Sequence, residues 1–549
     1  MLKQLFRSYP VFCAILVMFL TLLPVMCIRD VTPSNELRYL SIADEAIEQG
    51  HVFAFTNQGE DYADKPPFYF WLLMLSKIIF GKHQIFALSL FSFIPAAVIL
   101  LVMDRWCAGA LAENGLPFSP SERFAAAIMT GTGALFLGMS IFLRMDMLMC
   151  MFIVLALYEF YMLYKDIGNY RLHSYLYPLF TFMALFTKGP VGLIVPLLCP
   201  FVFLVLNGKI KDASKYFGWK TWGILLLLSA IWFAGVYFEA GTAYLDNLLF
   251  HQTVDRAVDA FHHKEPFWYY LIVFWYVVAP FSLLGASSLA GSLSVCGRKS
   301  DAERLFMVIF FSTLITLSAF SSKLAIYLAP VFPFISGVFF LHLKSARWNA
   351  WYSAMLSIPV TILLFAGLAM MFLPLFAPVL AETGQFVTSP WVSVSGILLA
   401  FCCLSSLFML FIRKSWSKAI SSAGLSLLFA VLGASPLLPE INDYVGYGNL
   451  CREAMKLKES SQSDGYVTLR VNRPENMDVY LGEDIRSFAN DADSLVSSGV
   501  SNVILMVKTS AVTETVAEYC GGSTPNAIVG DYSLYVIERP GNDKRHYSN

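Results

Sequence analysis

The sequence predicts an α-helical polytopic membrane protein with a small C-terminal α/β domain. Three observations lead there. Hydrophobic residues make up 57% of the 549, charged residues only 14%, and the mean hydropathy is +0.61. A soluble domain carries about 25% charge, because its outside must be covered with polar groups. Apolar runs near the length that crosses a bilayer core, roughly 20 residues, recur along the first four-fifths of the chain. From about Pro436 the pattern changes to short alternating helix and strand periods punctuated by Gly and Pro.

The apolar runs number about thirteen. They lie near residues 9–28, 84–103, 124–143, 146–164, 174–187, 190–206, 221–238, 269–291, 305–320, 325–343, 351–373, 391–412 and 419–437. The first ends at Pro24 to Arg29 without a small-residue cleavage site, so it reads as a retained helix. Phe68 to Phe80 is apolar but short and reads as an interfacial helix. Orientation follows from Lys and Arg. With Lys3 and Arg7 inside, the same side collects Arg105, Arg123, Lys165, Lys209, Lys211, Lys299, Lys344 and Arg413. The opposite loops carry fewer, as the positive-inside rule requires. An odd number of spans then puts the tail outside. The chain divides into a membrane part, 1–437, with outer loops 29–82 and 239–268, and a soluble part, 438–549.

The tail pattern predicts helices at Asn449–Ser460, Asp491–Ser498 and Val512–Cys520. It predicts strands at Gly465–Val471, Met477–Leu481, Asn502–Val507, Ala527–Val529 and Tyr532–Ile537. About 110 residues suffice for one α/β domain.

Composition excludes several functions. A net charge of −1 offers nucleic acid no basic surface. The ten cysteines are scattered, and no Cys-x-x-Cys or Cys/His cluster marks a zinc site or a disulfide framework. Cys451 and Cys520 would either pair in an oxidising compartment or remain two buried thiols. No nucleotide-binding loop occurs, and the matched halves of a transporter are absent.

The outer segments hold the chemistry. The first long loop carries S-N-E-L-R-Y (Ser34–Tyr39) and Y-A-D-K-P-P (Tyr62–Pro67). The second carries H-Q-T-V-D-R (His251–Arg256) and H-H-K-E-P-F-W-Y-Y (His262–Tyr270). Shorter turns carry R-M-D (Arg144–Asp146), T-K-G-P (Thr187–Pro190) and S-K-L-A-I-Y (Ser322–Tyr327). Carboxylates, cations and aromatics thus gather on one face of an apolar bundle. A polyprenyl-phosphate sugar needs such a set: a groove for its tail, cations for the leaving phosphate, and a carboxylate to take the acceptor proton. A transporter or flippase of the same lipid-linked precursor is the second reading, though few ionisable residues lie mid-span to line a path.

At these residues the chain resembles the GT-C superfamily of lipid-linked glycosyltransferases. Within it, the chain is most similar to the bacterial aminoarabinose (4-amino-4-deoxy-L-arabinose) lipid A transferases, relatives of the protein O-mannosyltransferases. The shared landmarks are N-E-L-R-Y, D-K-P-P, R-M-D, T-K-G-P-V-G-L, H-x-x-x-x-R followed by P-F-W-Y-Y, and K-x-x-x-Y, all within residues 1–340. The resemblance implies a GT-C fold in a bacterial inner membrane, N-terminus cytoplasmic, tail periplasmic. It implies a polyprenyl-phosphate-linked sugar donor and lipid A or another envelope molecule as acceptor. Lys65, Lys188 and Arg256 would bind the donor phosphate. Arg38 and Tyr39 would order the first loop, and Tyr327 would line the pocket. Asp64 and His251 match positions that hold a metal ion, zinc, and Asp146 matches a catalytic carboxylate. The family pattern opens with Asp-Glu, where this chain has Asn35-Glu36. An amide cannot take a proton at neutral pH, so the base becomes Asp146 or Glu36. Each site has a plainer alternative: Lys65 as a snorkelling lysine, Asp146 as a helix cap, Glu36 as a first-turn acid.

Overall fold

A computed structural model of the chain describes residues 2–249, 265–294, 299–376, 385–489, 491–522 and 524–538. By internal packing it divides into two units. One comprises Met1–Cys27, His51–Phe55 and Asp61–Pro436; the other comprises Ile28–Gly50, Thr56–Glu60 and Leu437–Asn549.

The first unit is a helical bundle. Among the described residues, nine helices are long and apolar enough to cross a membrane. They are Pro10–Ile28, Ile85–Glu113, Met145–Lys165, Trp219–Leu249, Asp301–Ala319, Ala325–Lys344, Ala350–Phe376, Pro390–Phe411 and Trp416–Val445. Phe68–Phe80 and Pro190–Leu206 are shorter apolar helices. Two expected spans are interrupted. The run 124–143 divides into Pro120–Gly131 and Ala134–Met139, and 269–291 divides into Tyr269–Val277 and Ser282–Ser294 around Pro280. Proline removes a backbone donor and blocks the preceding turn, which hydropathy does not register. The second outer loop also starts later than expected, because helix Trp219–Asp246 runs through Glu239 with a kink at Gly241.

Met145–Lys165 and Ala325–Lys344 are the inner helices, with 72% and 94% of their apolar windows buried. Met145–Lys165 packs along Tyr170–Lys188 and Ile85–Glu113. Charged pairs tie the opposite ends of these helices. Lys165 sits 3.1 Å from both Glu113 and Asp301, and Lys344 sits 2.6 Å from Glu122.

The second unit is built on a five-stranded sheet. Its order is Arg486–Ser487, Gly465–Leu469, Val503–Lys508, Tyr532–Ile537, Ala527–Val529. The first three strands run parallel, and Tyr532–Ile537 pairs antiparallel with both of its neighbours. Val467, Leu469, Leu505, Val507 and Tyr535 form its apolar core with Leu495 and Val516 from the helices. Cys451 and Cys520 are free thiols. Met477–Leu481 is not the strand expected from its apolar run. Pro474–Met477 and Asp478–Leu481 are two short helical turns, stopped at Gly482 with φ 68°. The edge position belongs instead to Arg486–Ser487. The unit also takes in Ile28–Gly50 and Thr56–Glu60, parts of the segment after the first apolar helix, whose helix Arg38–Gln49 buries Tyr39, Leu40, Ile42, Ala43 and Ala46.

Candidate functional site

Two helix ends and a turn meet in the membrane unit. Met145–Lys165 begins beside Arg144, which has extended backbone and supplies no side-chain cap. The approach is fixed from outside, since Ser92 Oγ donates to the Phe142 carbonyl at 2.6 Å. Asp146, in the first turn, is only 3% exposed. Carboxylates favour that position because the first amides of a helix lack intrahelical partners.

Tyr170–Lys188 ends at Gly189, whose φ of 104° and ψ of −150° suit glycine alone. Pro190 restarts the chain as a new helix. The sharp turn leaves Lys188 at the helix end, and its Nζ donates a short hydrogen bond to Asp146 Oδ1. A buried carboxylate needs such a partner, because an unpaired charge there costs several kcal/mol. The ammonium also lies 5.2 Å from the centroid of the Tyr327 ring, in the turn Ala325–Val331. Asp146, Lys188 and Tyr327, taken from three separate motifs, therefore form one cluster. A small gap of about 10 Å³ lies between Pro190–Leu206 and Asp301–Ala319, where Cys199, Thr313 and Thr316 join Val191, Ile194 and Leu317 in its lining.

Lys65 follows Asp64. Its Nζ contacts the Asp64 carbonyl at 3.0 Å and Asp64 Oδ2 at 3.5 Å. Pro66 and Pro67 then lead into helix Phe68–Phe80. An aromatic cluster seats this helix. Phe68 packs on Phe152 and Phe186, and Trp71 packs on Phe53 and Phe186. Phe186 is two residues from Lys188, so the rings tie D-K-P-P to T-K-G-P.

Sequence reasoning missed the clasp beneath this segment. Tyr244, 2% exposed, accepts the Phe55 amide at 3.0 Å and donates to the Tyr62 carbonyl at 2.8 Å. Glu239 receives the Val52 amide through Oε1 and the Phe53 amide at 2.6 Å through Oε2. A run of glutamate and tyrosine at a helix end carries no signal for such contacts. Lys323, in K-x-x-x-Y, is also held. It donates to the Glu265 and Phe320 carbonyls at 2.8 and 2.6 Å.

In the second unit, residues Pro33–Leu37 form a π-helical turn, closed by the Leu37 amide on the Thr32 carbonyl at 3.1 Å. Such turns are rare and concentrate at functional positions. Glu36 is fully buried within it. Its two oxygens accept from both Arg29 terminal nitrogens at 2.8 and 2.9 Å, and the Thr32 amide donates at 2.7 Å. The paired, planar geometry is the strong form of this contact. Arg38 reaches the Asn35 side-chain oxygen at 3.4 Å and lies 5.9 Å from the Tyr39 ring.

Arg256 and His251 lie outside the described residues. Asp64 alone of the expected metal pair is placed, with Lys65 beside it. No group of three or more His, Cys, Asp or Glu suited to a metal occurs among the described residues.

The architecture defines the class first: a mostly helical, multi-pass membrane protein. The fold is that of ArnT from Cupriavidus metallidurans, solved bound to undecaprenyl phosphate. The TM-score is 0.70 at 15% identity, covering 96% of this chain and 97% of that one. The apo form aligns with a TM-score of 0.71. By sequence, the chain is similar to undecaprenyl phosphate-α-4-amino-4-deoxy-L-arabinose arabinosyl transferases. The Pectobacterium atrosepticum protein is 25% identical over 452 residues, 78% of this chain and 76% of that protein. The Shewanella sediminis protein is 25% identical over 271 residues, 48% of this chain and 46% of that protein. The Pseudomonas fluorescens protein is 24% identical over 314 residues, 56% of this chain and 53% of that protein. The chain thus spans about half the length of the Shewanella and Pseudomonas relatives it matches. No protein-family model matches the chain.

Proposed function

We propose that this protein is an integral membrane glycosyltransferase of the bacterial inner membrane. It moves a sugar from a polyprenyl-phosphate donor to lipid A or another envelope acceptor, on the periplasmic face. The observation that carries this reading is the Asp146–Lys188–Tyr327 cluster, drawn together from three separate motifs. The ammonium suits a phosphate, and the carboxylate suits a proton. The relatives' names and the shared fold support the same reading.

In this mechanism the donor phosphate is gripped by Lys65, Lys188 and Arg256. An acceptor oxygen attacks the anomeric carbon, the bond from that carbon to the phosphate oxygen breaks, and polyprenyl phosphate leaves with its charge held by the cations. Asp146 takes the acceptor proton. Lys188 joins the two events, because an ammonium that turns toward the phosphate loosens its hold on Asp146. Glu36, with both oxygens engaged by Arg29 and Thr32, shapes the first loop and stands second as base. Tyr327 lines the donor pocket, and Asn35, Arg38 and Tyr39 order the first loop. Asp64 and His251 are the residues that a bound metal would use, and every step above runs through protein groups.

The topology goes with the activity. Thirteen crossings place the N-terminus in the cytoplasm, with the loops 29–82 and 239–268 and the domain 438–549 in the periplasm. The test is turnover in detergent. Purified protein should convert undecaprenyl-phosphate-linked aminoarabinose and lipid A to glycosylated lipid A without a sealed vesicle. Vesicle-dependent movement of the lipid without chemistry would refute the transferase reading.

A further inference from the structure

The tail domain and the first part of the loop after the opening helix, Ile28–Gly50 with Thr56–Glu60, fold as one unit, and the Asp30 carboxylate stands at their junction. Asp30 follows the first apolar helix. Its Oδ2 accepts the Gly448 amide at 2.6 Å, and its Oδ1 accepts the Tyr480 hydroxyl at 2.5 Å and the Val31 amide at 2.8 Å. Asn442 reads the backbone on either side. Its Oδ1 accepts the Asp30 amide at 2.9 Å, and its Nδ2 donates to the Ile28 carbonyl at 2.9 Å. The approach is close enough that a Cβ on Gly446 would meet Asp30 Oδ2 at 2.2 Å. Further along the loop, Ser41 Oγ donates to Asp478 at 2.8 Å, and Gln58 donates to Asp478 and the Glu475 carbonyl at 3.2 and 3.3 Å. The same loop carries the Pro33–Leu37 π turn with Asn35 and the Arg29–Glu36 pair.

Local propensity alone does not hold such a loop. A π turn has poor backbone geometry, and the one full helix after it has 12 residues, short for an isolated helix in water. Its order comes from the contacts at Asp30, Ser41 and Gln58. Charge-assisted hydrogen bonds of this kind are about twice as strong as neutral ones.

We propose that Asp30 is a positioning residue of the transferase, and that the tail domain acts by fixing the first outer loop through it. The proposal rests on the transferase reading above. Asp30 touches no reacting atom in it; its effect passes through Asn35, Glu36 and Arg38. The donor phosphate is assigned to Lys65, Lys188 and Arg256, none of them in this loop segment, so loosening the loop should lower kcat and leave donor KM in place.

The experiment compares wild type with Asp30→Ala, Asp30→Asn, Asn442→Ala and Tyr480→Phe in the full chain. Donor kcat and KM are measured with undecaprenyl-phosphate-linked aminoarabinose and lipid A, alongside amide hydrogen exchange. The expected result for Asp30→Ala is a loss of kcat by about 10-fold or more, donor KM within about twofold, and faster exchange across residues 31–49. Exchange in helix Met145–Lys165 should not change, which separates a loosened loop from a misfolded chain. Asp30→Asn keeps an acceptor oxygen and should recover part of the loss. Faster loop exchange with unchanged kcat overturns the positioning role. Equal exchange in wild type and Asp30→Ala overturns the anchoring itself. A wild type that never turns over donor overturns the transferase reading, and the exchange comparison still decides the anchoring.

Discussion

Replacing Asp146 by Asn separates catalysis from folding at the central cluster. The amide keeps one oxygen for the Lys188 ammonium, so packing and most of the hydrogen bond survive. What disappears is the charge and the ability to take a proton. A hydrogen bond to a charged group contributes about 1.5–3 kcal/mol, so the stability loss should be about 1–2 kcal/mol. General-base catalysis contributes about 10²- to 10⁴-fold, equal to about 3–5 kcal/mol of activation free energy. kcat should therefore fall by roughly that factor, with donor KM within about threefold because the phosphate cations remain. Lys188→Met is the complementary variant. It leaves a carboxylate with 4% side-chain exposure without its ammonium, which costs about 3–5 kcal/mol of stability. The double variant Asp146→Asn, Lys188→Met removes both charges and should recover stability without recovering activity. The assay is donor turnover in detergent beside a thermal melt of each variant. If Asp146→Asn turns over donor within about threefold of wild type, the base lies elsewhere and this mechanism is wrong.

Lys65→Ala should cut transfer by about 100-fold, as loss of a preorganised charge partner does, and wild-type turnover would remove Lys65 from the phosphate site. Tyr244→Phe strips the clasp on Phe55 and Tyr62; leaving buried backbone groups unpaired should lower stability by about 1–3 kcal/mol in a melt. Burial pushes the Asp478 carboxyl above its ordinary value, against the pull of the Ser41 and Val479 donors. A raised folded-state value means its contribution is present in acid and fades as pH rises from the ordinary carboxylate value through the raised one. Loop exchange in wild type should therefore speed up across that window, while Asp478→Asn should show no such step. Reporter fusions after Arg29, near Asp255 and at the C-terminus should read periplasmic, and those near Lys211 and Lys299 cytoplasmic; an inward C-terminus would break the thirteen-span reading.

Long apolar runs were legible because lipid selects for length and composition alone, as at Pro10–Ile28 and Pro390–Phe411. Breaks inside such runs were not, as at Thr132–Gly133 and around Pro280, because one turn of irregular backbone barely changes average hydropathy. In the tail most elements stood near their expected places, while Met477–Leu481 did not. Its apolar alternation fits a strand, yet Tyr480 is drawn to Asp30, some 450 positions away in sequence. At the site, motif order identified Asp146, Lys188 and Tyr327, which meet in space. It could not reveal that Glu36 would be bound by Arg29, or that Tyr244 and Glu239 would hold the segment before Lys65. Those are long-range contacts between residue types common at any helix end.

A unit assembled from Ile28–Gly50 and a segment starting at Leu437 sets a timetable for biogenesis. The loop leaves the ribosome early, but its partners Asn442, Gly448 and Tyr480 follow 414 to 450 residues later. At roughly 5–20 residues per second, that is a wait of about 20–90 s. During this interval the loop has been made without the groups that hold Asp30. A nascent chain stalled before residue 437 should therefore expose this segment to proteases and chaperones. Release of the tail, not insertion of the last helix, would be the step that completes the enzyme.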